Sequence, residues 1–180
     1  MNLSKKCIHL LIVFILVSLI PSAQAIKADV FMEQYNADVV KPSELLNFSL
    51  FKHVSDENGI STYKCYTTDE AVLAEVSLIS NGDLYLFGLS ATGSANEDEI
   101  NKKYTSFSKA AMHTIAAGSP ELSVEDALSV YSGMIQTAAD NTVDGVGYAE
   151  YQAGKAFYRL QLMAMGDVFL ILFAYYPTAL

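Results

Sequence analysis

The chain has 180 residues, with 20 Asp and Glu against 11 Lys and Arg and a formal net charge of −9. Hydrophobic residues make up 52% and charged residues 17%, which supplies the core of one ordinary domain and excludes a disordered or low-complexity chain. The negative charge, with Arg159 as the only arginine, also excludes a nucleic-acid binder as the first reading.

Residues 1–25 read as a secretory signal peptide. Lys5 and Lys6 precede an apolar run from Ile8 to Ile20, and Pro21-Ser22 leads into Ala23-Gln24-Ala25, the small-x-small form that signal peptidase cuts after. The run falls short of the about 20 apolar residues of a membrane-spanning helix. A retained N-terminal anchor is the alternative. Cleavage leaves a single domain, 26–180, with 9 basic and 20 acidic residues and hence a charge of −11. The expected location is the periplasm or the exterior, with no membrane anchor once the leader is gone. The one remaining cysteine, Cys65, leaves no partner for an intramolecular disulfide. Its place in an alternating pattern fits a small buried residue, with a reactive thiol as the alternative.

Along the mature chain, Val30, Phe31, Tyr35 and Val39 fall near helical spacing, and Pro42 stops that helix. Phe48 to Ser55 and Ile60 to Thr68 read as strands around a turn at Asp56-Glu57-Asn58-Gly59. Ala71 to Ile79 alternates Val72, Ala74, Val76 and Leu78 against Leu73, Glu75 and Ser77. Asn81-Gly82 then joins it as a hairpin to Leu84-Tyr85-Leu86-Phe87. Gly88-Leu89-Ser90-Ala91-Thr92-Gly93 matches neither a nucleophile elbow nor a phosphate loop, and reads as a flexible strand end entering a helix.

Ile100, Tyr104, Phe107, Ala111 and Ile115 then repeat at helical spacing, opposite Lys102, Lys103, Ser106, Lys109 and His113. Glu97, Asp98 and Glu99 open that helix, and Gly118-Ser119-Pro120 ends it. A second helix starts at the N-cap Ser123, with Leu128, Tyr131, Met134, Ile135 and Ala138 on its apolar side. After a polar connector, 140–145, three strands follow: Tyr148 to Gln152, Ala156 to Met165 and Val168 to Tyr176, with turns at Ala153-Gly154 and Gly166-Asp167. The last strand is apolar on both faces and belongs in the middle of the sheet. The fold class is α+β: a mainly antiparallel sheet of six or seven strands with helices packed on it, in the order α-β4-αα-β3.

Phe31-x-x-x-Tyr35-Asn36, the Asn81-Gly82 hairpin, the central helix pair and the closing aromatic meander resemble the Mog1/PsbP-like class of small α/β/α domains. The resemblance covers almost the whole mature chain. It implies a fold and an accessory or binding role, and it carries over no functional residue.

Chemistry-bearing patterns are sparse. His53 and His113 lie on different elements, one cysteine remains, and no metal motif or cofactor motif can be written. Each histidine reads as a surface or sheet-face residue. The carboxylates of 97–99 and 125–126 sit in first helical turns, where the helix dipole accounts for them. A catalytic role is therefore not expected, with a hydrolase the remotest alternative.

The candidate binding residues are Arg159, Tyr148, Tyr151 and Tyr158: the one guanidinium, paired with Glu75 or Glu150 or anchoring an anion, and tyrosines of the closing strands. The sequence thus points to an exported, non-catalytic domain that binds a protein or a small ligand. An acidic rim would steer a cationic partner to aromatic anchors in a cleft between sheet and helices. The alternative is an inhibitor or immunity-type protein against a cationic enzyme such as a lysozyme-like hydrolase.

Overall fold

The computed structural model describes residues 26–37, 51–65, 72–94 and 97–177. The signal peptide with its Ala23 and Ala25 cleavage site, the Pro42 stop and the outer ends of the first three expected strands lie outside the described residues.

Seven antiparallel strands form one sheet in the order β1-β2-β3-β4-β7-β6-β5. They are β1 (Phe51–Glu57), β2 (Ile60–Cys65), β3 (Leu73–Ile79), β4 (Leu84–Ser94), β5 (Val146–Ala153), β6 (Ala156–Met165) and β7 (Val168–Tyr176). Three helices, α1 (Ala28–Ala37), α2 (Glu97–Gly118) and α3 (Val124–Asp140), pack on the sheet. The α+β reading holds.

Local turn chemistry sets the hairpins. Asn58 and Gly59 adopt φ of 52° and 78°, so β1 turns on these two residues alone, and Asp56 and Glu57, expected in the turn, belong to the strand. At the β3–β4 turn, Gly82 takes φ 82°, and the Asn81 side chain accepts from the Asp83 amide at 3.0 Å. Lys27 ties the start of the described chain to this hairpin, donating to the Asn81 carbonyl at 2.8 Å and pairing with Asp83 at 2.6 Å. The Lys27 ammonium, foremost, holds the Asp83 carboxyl below the usual range.

β4 corrects the expectation for residues 88–93. The glycines and small polar residues there form no flexible end: β4 pairs with β7 from Phe87↔Tyr175 through Ser94↔Val168. A long apolar neighbour supplies the ladder that the local composition does not suggest. β7 lies inside the sheet as expected, and from Leu170 onward it is buried on both faces.

Aromatic rings fill the layer between sheet and helices. Phe31 of α1 stacks on Tyr175 at 5.0 Å, Tyr175 on Tyr158 at 5.3 Å, and Tyr158 on Phe173 at 6.0 Å. Tyr131 of α3 meets Phe173 edge-on at 6.3 Å. On the opposite sheet face Leu86, Ala174 and Tyr176 form a smaller buried cluster with Tyr85 and Phe157.

Helix faces depart from the sequence reading in three places. Val30 and Leu128, expected on apolar faces, are 44% and 49% exposed. α3 buries Tyr131, Met134 and Ala138 as expected, with Ile135 partly buried against the core, and Ala127 takes the place expected for Leu128. The end of α3 lies close to β5 because Gly147 has no side chain: a β-carbon there would stand 2.0 Å from the Ala138 carbonyl oxygen. His113, expected on the polar side of α2, is buried with its ring 6.1 Å from Tyr35, because α1 covers it. Glu75 and Ser77, on the polar side of β3, are also buried.

Candidate functional site

The four nominated residues share one hairpin and have different fates. Tyr148, on the terminal strand β5, is 59% exposed. Tyr151 is half-buried, its ring 6.3 Å from Tyr158. Tyr158 is fully buried; its hydroxyl lies 2.7 Å from Ser119 Oγ and donates to the Ile115 carbonyl at 3.2 Å. It braces the turn between α2 and α3, and burial, foremost, pushes its pKa up.

Arg159 sits opposite Glu150 across β5 and β6, and its Nε and Nη2 donate to Glu150 Oε1 at 2.9 and 2.6 Å. Its guanidinium also stands 5.8 Å from the Phe157 ring centre. Of the two partners foreseen, the structure selects Glu150, which is Arg159's direct cross-strand neighbour.

A groove opens where the sequence offered no nomination. α2 ends at Gly118, the Ser119 amide donates to Ile115 at 2.9 Å, and α3 begins at Val124 under a capping box. There Ser123 Oγ accepts from the Asp126 amide at 3.1 Å, and the Ser123 amide donates to the Asp126 carboxylate at 3.1 Å. Hydrogen bonds from the Ser123 side chain and backbone hold the Asp126 carboxyl below its ordinary range. Against this fixed elbow lies α1, and between them is a groove of about 380 Å³. Its floor is Ala116 and Ala117, its sides are Pro120, Leu122 and Val124, and its polar contributions are Gln34 and Ser123. The aromatic stack fills the layer between sheet and helices, and this groove lies on the helix layer.

The elbow and the nominated hairpin meet at one end of the sheet. A β-carbon on Gly154, in the β5–β6 turn, would lie 3.8 Å from Glu121 Oε1. Among the described residues no group of three His, Cys, Asp or Glu is placed to hold a metal ion. His53 is exposed and pairs with Asp56 at 3.0 Å, and Cys65 is buried with its thiol pKa pushed up to about 12, first by burial and then by Glu75. Among the described residues no helix is long and apolar enough to cross a membrane.

No family model, curated protein or solved structure matches this chain.

Proposed function

We propose that the protein is an exported, non-catalytic binding module for a cationic polypeptide. The observation that supports this is a groove of mixed apolar and polar lining, most of which comes from a stretch of chain without Lys or Arg. No Lys or Arg occurs anywhere in 110–154, which contains Glu121, Glu125, Asp126, Asp140, Asp144 and Glu150, and α1 adds Asp29 and Glu33. Such a surface attracts a basic partner over about 10 Å at ordinary ionic strength, and the groove takes one of its apolar side chains.

Lysozyme serves as the basic probe. Binding at low salt, released at about 0.3 M salt and weakened about tenfold by Gln34→Trp, which fills the groove from an exposed position, is the expected result. Lack of retention at low salt, or equal binding by Gln34→Trp, overturns the reading. Inhibition of lysozyme by the bound protein would narrow the function to that of an inhibitor.

A further inference from the structure

The two edges of the sheet are finished differently. β1 carries Lys52 and a register break between His53 and Ser55, two devices that keep an edge strand from pairing with another chain. β5 has no Lys and no Pro, and its register with β6 is unbroken from Val146 to Ala153.

The outward backbone groups of β5 follow from its ladder. Val146 exchanges both of its backbone bonds with Val143, each at 2.9 Å, so its N–H and C=O face away from β6. Alternation along an antiparallel strand gives the same outward direction to Tyr148, Glu150 and Gln152. Among the described residues no strand lies beside β5 on that side, and all three residues are exposed. Three N–H and three C=O groups thus line about 14 Å of open edge. Tyr148 shares a sheet face with the 37% exposed Val146. Glu150 gives only Oε1 to Arg159 and keeps Oε2 for another cation.

We infer that the β5 edge accepts an extended, lysine- or arginine-bearing segment of another polypeptide as an eighth strand. Its backbone pairs with Tyr148, Glu150 and Gln152, a basic side chain opposite Glu150 reaches Oε2, and an apolar one opposite Tyr148 covers that ring and Val146. A second copy of this chain fits less well. The longest symmetric register, Tyr148 against Gln152 on both sides, sets Glu150 directly against Glu150, and like charges directly opposite one another destabilise a ladder. The inference rests on the proposed function for the partner's charge and adds the way the partner docks.

The test uses the seven-residue peptide Lys-Val-Thr-Lys-Thr-Val-Lys, whose second, fourth and sixth side chains share one face and can set Val opposite Tyr148 and Lys opposite Glu150, and the same peptide N-methylated at every residue, which keeps the charge and removes the bonding edge. Amide exchange of the purified protein is read with each. The expected result is slowed exchange at Tyr148, Glu150 and Gln152 with the unmodified peptide. Binding should weaken about tenfold on full N-methylation, and about tenfold in Gln152→Pro, which deletes an outward N–H without touching the bonds to β6. An unchanged thermal transition shows that this variant is folded, and Tyr148→Lys, which installs the safeguard found on β1, is the second variant. Equal binding of both peptides leaves the charge-based function standing and overturns strand addition. Binding of neither overturns both. Protection of the same amides that grows with protein concentration alone assigns the edge to a second copy and overturns the inference.

Discussion

Gly118 has no room for a side chain beneath Tyr175: a β-carbon there would lie 2.6 Å from Tyr175 Cε2 and 2.7 Å from the Tyr158 hydroxyl. Both rings are fully buried in the aromatic stack and have nowhere to retreat. The helix α2 therefore ends on a glycine because the sheet's aromatic rings come up against its backbone. Gly118→Ala should destabilise the protein by about 1–3 kcal/mol through overpacking, despite alanine's better helix propensity. Gly133, in mid-α3 with nothing within 4 Å of its would-be β-carbon, is the control. Gly133→Ala should stabilise by about 0.5–1 kcal/mol. Urea denaturation of the two variants measures both, and equal effects would remove the steric account of the elbow.

Tyr158 and Tyr175 stack on each other, and their hydroxyls differ. That of Tyr158 meets Ser119 Oγ and the Ile115 carbonyl, whereas that of Tyr175 is buried without a hydrogen-bond partner among the described residues. Tyr158→Phe should cost about 1–2 kcal/mol, because it also strands the buried Ser119 hydroxyl. Tyr175→Phe should be neutral or stabilising, since it deletes a desolvated polar group with no hydrogen-bond partner among the described residues. The sign of the difference, read from chemical denaturation of both variants, decides the matter.

Elements closed by local chemistry were legible in the sequence. Asn81-Gly82 and Gly166-Asp167 mark their own turns, and the two-residue alternation of β6 and the two-sided apolarity of β7 placed those strands correctly. Helix faces were less legible, because an apolar residue on each side of the true stripe satisfies a 3.6-residue period almost as well. Leu128 is the larger hydrophobe, yet it faces solvent and Ala127 is buried. Residues 88–93 carry loop-like glycines and hydroxyls, and only their pairing with β7, far along the chain, makes them a strand. The Arg159–Glu150 pair was legible only in part: Glu75 and Glu150 were both open, and the β5–β6 register decides for Glu150. The groove was not, because Gln34, Ala117 and Val124 come from three elements that no local pattern connects.

Alkaline pH should unfold the protein earlier than its fold class alone suggests. Burial pushes the thiol of Cys65 and the hydroxyl of Tyr176 each up to about 12, and raises Tyr35, Tyr131, Tyr158 and Tyr175 further. In the unfolded chain the same groups ionise at about 8.5 for the thiol and about 10 for the phenols. Above those values the unfolded state binds fewer protons than the folded one. The stability these groups contribute is complete below about pH 8.5 and is lost as pH climbs toward the folded values. Denaturation free energies at pH 7, 9 and 11 should fall, with the steeper drop between 9 and 11. Cys65 should resist a disulfide-exchange reagent at pH 8 until denaturant is added. A flat profile to pH 11 would mean that these rings and the thiol are wet.

The Arg159–Glu150 pair makes the last prediction, and its size separates a structural role from a ligand-binding one. The two side chains are 25% and 42% exposed, so water and salt screen them. A double-mutant cycle of Arg159→Ala and Glu150→Ala should give a coupling of about 0.5–1 kcal/mol that shrinks in about 0.5 M salt. Arg159→Ala alone should cost somewhat more than the coupling, because the guanidinium also covers the Phe157 ring. A guanidinium held in place to receive an anion would behave otherwise. Its removal would leave stability nearly unchanged, the coupling to Glu150 would be close to zero, and added phosphate or sulfate would stabilise the wild type and not the variant. Thermal melts of the two proteins with and without about 50 mM sulfate therefore assign Arg159 to the ladder or to a ligand, and the bonds to Glu150 predict the ladder.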